Sequence, residues 1–152
     1  MTLKSQLYLL AFSLSLISCK SSKTGHNNFD NNRYDTIRSC SQKWQFLSVD
    51  TTFSIKVLAC LPAFHVDLTV RPAMIVGVTN QNDSIRVLQY GFEKDLKIGK
   101  FIQVKPDTSI DIKNTLTMAL VQRDLPFVLS KDKTFDRYYC EVTKTYFGKV
   151  SE

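Results

Sequence analysis

The sequence predicts a mainly β protein: a small antiparallel barrel or sandwich of about eight short strands, preceded by an N-terminal signal helix and a flexible tether. Three observations carry this. Short runs that alternate apolar and polar residues recur from Thr52 onward. Proline, glycine or an Asn/Asp cluster punctuates nearly every gap between them. The longest apolar run, Leu7 to Ile17, stands apart at the N-terminus and is followed at once by polar chain.

Three segments follow in order: 1–18 as signal, 19–32 as a tether, and 33–152 as a single β-rich domain. Lys20 to Asn32 (KSSKTGHNNFDNN) carries little that could be buried and reads as flexible. A tether of this length separates its ends by about 20 Å on average. His26 within it reads as a solvated loop histidine.

From Arg33 the composition changes, with Tyr34, Ile37, Trp44, Phe46, Leu47 and Val49 supplying buried-type residues. After the Asp50-Thr51-Thr52 turn, Thr52 to Cys60 places Phe53, Ile55, Val57 and Ala59 on one face and Ser54, Lys56 and Leu58 on the other. Pro62 ends that strand. Phe64, Val66, Leu68 and Val70 then alternate with His65, Asp67, Thr69 and Arg71 as far as Pro72. Met74 to Thr79 is almost wholly apolar and predicts a central strand buried on both faces. The turn Asn80–Asp83 joins it to Ser84–Tyr90 in the clearest hairpin of the chain. Gly91 closes the hairpin, and Lys100 to Lys105 predicts another short strand, stopped by Pro106.

Ser109 to Val121 fits two periods. Ile112, Leu116, Ala119 and Leu120 share a helix face; Ile110, Ile112, Leu116, Met118 and Leu120 share a strand face. The threonines tip the expectation towards strand. Gln122-Arg123-Asp124 reads as a turn, Leu125 to Ser130 as an edge strand because of Pro126, and Tyr138 to Val150 as the final strand.

The chain carries 20 Lys+Arg against 14 Asp+Glu, a net charge of +6. Its basic residues are scattered (Lys94, Lys97, Lys100 and Lys105; then Lys131, Lys133 and Arg137) and interleaved with carboxylates. That reads as a solvated surface, with contact to anionic lipid head groups or cell-wall polymer as the functional alternative and nucleic acid as an unexpected partner. No cofactor is implied: G-x-G-x-x-G, Walker A, G-x-S-x-G and H-E-x-x-H patterns are missing from these residues.

Four cysteines occur: Cys19, Cys40, Cys60 and Cys140. Cys60 ends an apolar run and reads as a small buried hydrophobe, while Cys40 and Cys140 are the pair chosen if any bridge forms. Cys60 with His65 is the best nucleophile–base candidate, because a thiol needs a base within hydrogen-bond reach. Cys40, Cys60, Cys140 and His65 are a Cys3His set in type but lack ligand-like spacing. Asp67, Glu93, Asp111 and Glu141 fall on outer faces or loops. Among the aromatics, Phe64, Tyr90, Phe92, Phe101, Tyr138, Tyr139 and Tyr146 could include a stacking surface, although core packing is their commoner use.

The N-terminus carries one resemblance. Lys4, the apolar run Leu7–Ile17 and the closing Leu16-Ile17-Ser18-Cys19 resemble the type II signal peptide of bacterial lipoproteins. The run would span only about 16 Å as a helix, too short to cross a bilayer. The resemblance implies cleavage before Cys19, a diacylglycerol on its sulfur and an acyl chain on its amine, hence a stable membrane anchor. The absence of an acidic run after Cys19 points to the periplasm-facing membrane of a Gram-negative envelope. The expected function is a non-enzymatic binding or structural role towards an envelope protein or component. The alternatives are a small thiol enzyme using Cys60 and His65, and a carrier of lipid or another small ligand inside a barrel, which requires a cavity.

Overall fold

A computed structural model describes residues 31–48, 50–66, 69–114 and 132–151, with 119, 121–123, 125, 126 and 129 between them. Cys19, the signal run, the tether as far as residue 30, and Asp67, Leu68 and 115–118 lie outside the described residues.

The protein is mainly β and built around a closed five-stranded barrel. Its staves are β2 (Phe53–Leu61), β5 (Ala73–Thr79), β6 (Ser84–Gln89), β7 (Phe101–Pro106) and β8 (Lys144–Ser151). β2, β5 and β6 form an antiparallel meander; β7 returns antiparallel to β2, and β8 closes the ring between β7 and β6. The β6–β8 pair is parallel. In barrel order the staves run 1-2-3-5-4-1, the connectivity of OB-type Greek-key barrels. A two-residue strand, β1 (Gln45–Phe46), lies parallel to the start of β8. β3 (Phe64–Val66) and β4 (Thr69–Arg71) form a separate small hairpin.

The residues explain the closure. Odd-numbered positions of β2 and β5 and their partners fill the interior: Ile55, Val57, Ile75, Ile85, Val87, Ile102 and Val104, with Leu96 beside them. A register shift between Val57 and Ala59 bends β2, so its first half pairs with β7 and most of its length with β5. Gly77 and Gly148 permit the tight radius: a Cβ on Gly77 would stand 2.8 Å from Ile55 Cδ1, and one on Gly148 2.5 Å from Val104 Cγ1.

A helical layer covers the opposite face of β5, β6 and β8. It comprises α1 (Asn31–Ser41), helical residues between 119 and 129, a single 3-10 turn (Lys133–Phe135) and α2 (Asp136–Glu141). Ile37, Trp44, Val121, Leu125, Leu129, Phe135 and Tyr139 pack on Met74, Val76, Leu88 and Phe147. Burying such side chains on both sides contributes about 1.5–3 kcal/mol each. This layer explains why Met74–Val76 reads as apolar throughout.

Five sequence expectations change. The strand expected for Ser109–Val121 is turn and irregular chain over 109–114, and helix at 119 and 121. Gln122 and Arg123, expected in a turn, are helical, as are Leu125, Pro126 and Leu129 of the expected edge strand. Val121, Leu125 and Leu129 recur every four residues, and that stripe is what the layer buries. Tyr138–Glu141 belongs to α2, so the last strand starts only at Lys144. The single strand expected over 64–71 is two short strands folded into a hairpin.

Candidate functional site

Of the residues singled out for chemistry, Cys40 and Cys140 are joined to each other, while Cys60 and His65 have different partners. Cys40 on α1 and Cys140 on α2 form a disulfide with Cα atoms 4.9 Å apart, so neither thiol is available to a metal. Cys60, half-buried, points its Sγ at the Lys94 carbonyl at 3.9 Å, and burial pushes its thiol pKa up, away from the reactive thiolate. His65 sits in the open with its Nε2 3.6 Å from Glu93 Oε1. No group of three or more His, Cys, Asp or Glu suited to a metal occurs among the described residues. Glu93, Asp111 and Glu141 are exposed, as expected, and Asp67 lies outside the described residues.

The buried polar centre is Arg86, a residue that alternation places on the outer face of β6 and that the helical layer then covers completely. Its guanidinium lies 3.7 Å from the centroid of the Trp44 ring and 5.4 Å from that of Tyr139. Nη1 donates to Thr145 Oγ1 at 3.0 Å; Nη2 donates to the Tyr138 and Tyr139 carbonyls at 3.0 and 2.9 Å. Those carbonyls end α2, where the helix presents its negative pole. Trp44 Nε1 donates to the same Tyr139 carbonyl at 3.2 Å. Burial pulls the guanidinium pKa down to about 9, still charged at neutral pH. All of this locks the helical layer onto the barrel and leaves no access for a ligand. The outer face of β5 and β6 is thus occupied by the protein's own helices.

Openness shifts to one end of the barrel. A cleft of about 510 Å3 is lined by the approach to β2 and its start (Thr51, Thr52, Phe53, Ser54), the end of β5 and the turn after it (Thr79, Asn80, Gln81, Asp83), Ile85 of β6 and the start of β8 (Lys144, Tyr146). Phe53 and Tyr146 stand side by side, ring centroids 5.6 Å apart and tilted by 56°. The turn is rigid: the Thr79 and Asn82 amides donate to the Asp83 and Thr79 carbonyls, both at 2.9 Å, and Asn82 takes φ 65°. Lys144 Nζ pairs with Asp83 Oδ1 at 3.0 Å, so the lining is hydroxyl, amide and aromatic with its charges neutralised. These residues come from three separate stretches, and no spacing in the sequence marks them; the alternation of β2 and β8 was the one available signal, since it turns Phe53 and Tyr146 to the same side.

A second cleft, of about 440 Å3, runs between Leu47, Ser48 and Asp50 on one side and Pro106–Lys113 on the other. Its Asp107 is already engaged: it accepts from Ser109 Oγ at 2.5 Å and Ser109 N at 3.1 Å, and Lys149 Nζ lies 3.5 Å away. Partial burial pushes its pKa up, but Ser109 and Lys149 outweigh it and hold the carboxyl below its ordinary value.

Comparison of the chain with known protein families, with curated proteins and with solved structures found no match.

Proposed function

We propose that this is a lipid-anchored cell-envelope protein whose barrel is a non-enzymatic binding module, and that the barrel-end cleft receives an uncharged, polyhydroxylated group of an envelope component. The observation that carries the reading is the cleft itself: a rigid, charge-neutral lining of threonine, serine and amide side chains beside the Phe53–Tyr146 pair. Hydroxyl and amide groups exchange hydrogen bonds with sugar hydroxyls, and an aromatic face packs on the apolar face of a pyranose ring. Cys60 and His65 have separate partners, which gives the thiol-enzyme reading no nucleophile–base pair to start from. The barrel interior is filled by isoleucine and valine side chains, which leaves the carrier reading without the interior cavity it needs.

Two measurements test the proposal. The first is intact mass and membrane partition of the protein made in a bacterium, wild type beside Cys19→Ala. A mass matching cleavage before Cys19 plus acyl chains, lost together with membrane partition in the variant, is the expected result; a soluble, unacylated wild type removes the anchor. The second is titration calorimetry with soluble fragments of envelope glycan. Tyr146→Ala is expected to weaken binding about tenfold, equivalent to about 1.4 kcal/mol, and binding that ignores Tyr146 and Gln81 substitutions places the ligand elsewhere.

A further inference from the structure

The helical layer covers one side of the barrel and leaves the other bare. On β2, β7 and β8 the outward positions include Ser54, Lys56, Phe101, Gln103, Lys105, Lys149 and Ser151, and no carboxylate is among these. Phe101 is 60% exposed and lies directly opposite Lys56 in the antiparallel ladder. Just before it, the chain turns through Lys97-Ile98-Gly99-Lys100. The Lys100 amide donates to the Lys97 carbonyl at 3.1 Å, and Gly99 takes φ +85°, which puts Ile98 at the crest of the turn. Ile98 is 69% exposed, the most open large hydrophobic among the described residues. The turn is fixed rather than loose: the Gly99 amide donates to the Val57 carbonyl at 2.8 Å and the Val57 amide to the Lys100 carbonyl at 2.9 Å.

Ile98 and Phe101 thus stand largely in water beside lysines, and an exposed apolar patch rimmed by polar residues is the mark of a protein or membrane contact. The nearby carboxylates are few: Asp107 pairs with Lys149, Glu93 stands by His65, and Asp95 precedes the turn.

We infer that this face, with Ile98 and Phe101 at its leading edge, docks on an anionic lipid surface. The two side chains enter the headgroup–acyl boundary, and Lys56, Lys97 and Lys105 lie over lipid phosphates. The charge is complementary to a bilayer containing phosphatidylglycerol, and the paired apolar residues select a membrane over a soluble polyanion, which would have no use for them. The inference rests on the anchored-protein reading only in that the anchor brings the domain to a bilayer. The leading edge of the face lies beside the middle of β2, where Phe101 faces Lys56, whereas the barrel-end cleft lies at the start of that strand, with Ser54 bordering both.

The test is co-sedimentation of the mature chain carrying Cys19→Ser, and therefore no acyl chain, with vesicles of phosphatidylethanolamine alone or with about one-third phosphatidylglycerol added. Binding to the mixed vesicles and not to the neutral ones is expected. Lys56→Gln and Lys97→Gln are each expected to weaken it about fivefold, and Ile98→Ser with Phe101→Ser more than tenfold. Circular dichroism of each variant checks that the fold is kept. Absence of binding to the mixed vesicles, equal binding to neutral ones, or binding indifferent to all four substitutions overturns the inference. So does binding to dextran sulfate that matches binding to the vesicles and ignores the Ile98 and Phe101 changes, since that identifies a soluble polyanion as the partner. Loss here with the acylated wild type still on membranes sinks the docking face and spares the anchor; the reverse pattern sinks the anchor alone.

Discussion

Arg86 shows how a single residue can change role between sequence and fold. In the sequence it is a polar residue on the outer face of a strand; in the structure it is fully buried between two aromatic rings and the end of α2. A buried cation normally requires an anion. Here three oxygen acceptors, the helix pole and the Trp44 ring do that work together. A planar fork is needed to reach all three acceptors while lying flat on an indole. Arg86→Lys is therefore expected to lower unfolding free energy by about 2–4 kcal/mol, because one ammonium group cannot keep that set of contacts. Urea denaturation followed by Trp44 fluorescence measures it, and a loss below about 1 kcal/mol would show that the fork is dispensable. None of this was legible at the sequence level: Trp44, Arg86 and Tyr139 are distant in the chain, and only packing brings them together.

Among the elements, those that are locally determined were the readable ones. β2, β5, β6 and β7 were each visible as alternation or as a β-branched run bounded by turn residues, and the Asn80–Asp83 turn set the β5–β6 register. The segment from 109 to 130 was not, because its threonines and isoleucines suit a strand while its four-residue repeat at Val121, Leu125 and Leu129 suits a helix; tertiary burial of that repeat decides. α1 and α2 are too short or too polar to stand alone, and they are held by two long-range ties. Arg33 donates through Nε and Nη2 to both Asp136 oxygens at 2.6 Å, and the Cys40–Cys140 disulfide closes a separation of 100 residues. A loop of that length corresponds to about 4–5 kcal/mol of denatured-state entropy in the chain-entropy view. Cys40→Ala with Cys140→Ala is expected to lose about 3–5 kcal/mol in denaturant titrations. A loss below about 1 kcal/mol would mean that the Arg33–Asp136 fork and the apolar contacts hold the layer alone.

At the scale of the whole molecule, the helical layer and the barrel divide the surface between them. Covering β5 and β6 removes the broad sheet platform; the bare β2–β7–β8 face keeps its lysines with Phe101, and the barrel end keeps the cleft. The cleft and the exposed Ile98–Phe101 edge thus lie at different levels of one small barrel. By itself the sequence determined the mainly β class, four of the five staves and the turn between β5 and β6, because each of these is written in neighbouring residues through period or turn chemistry. Only the tertiary structure decided that the sheet closes, that β8 joins β6 in parallel, that Arg86 is buried and Ile98 is not, and that Thr51–Ser54, Thr79–Asp83 and Tyr146 share one cleft. Each of those outcomes depends on contacts between residues far apart in the chain, and the choice among them is made by which faces bury apolar surface together.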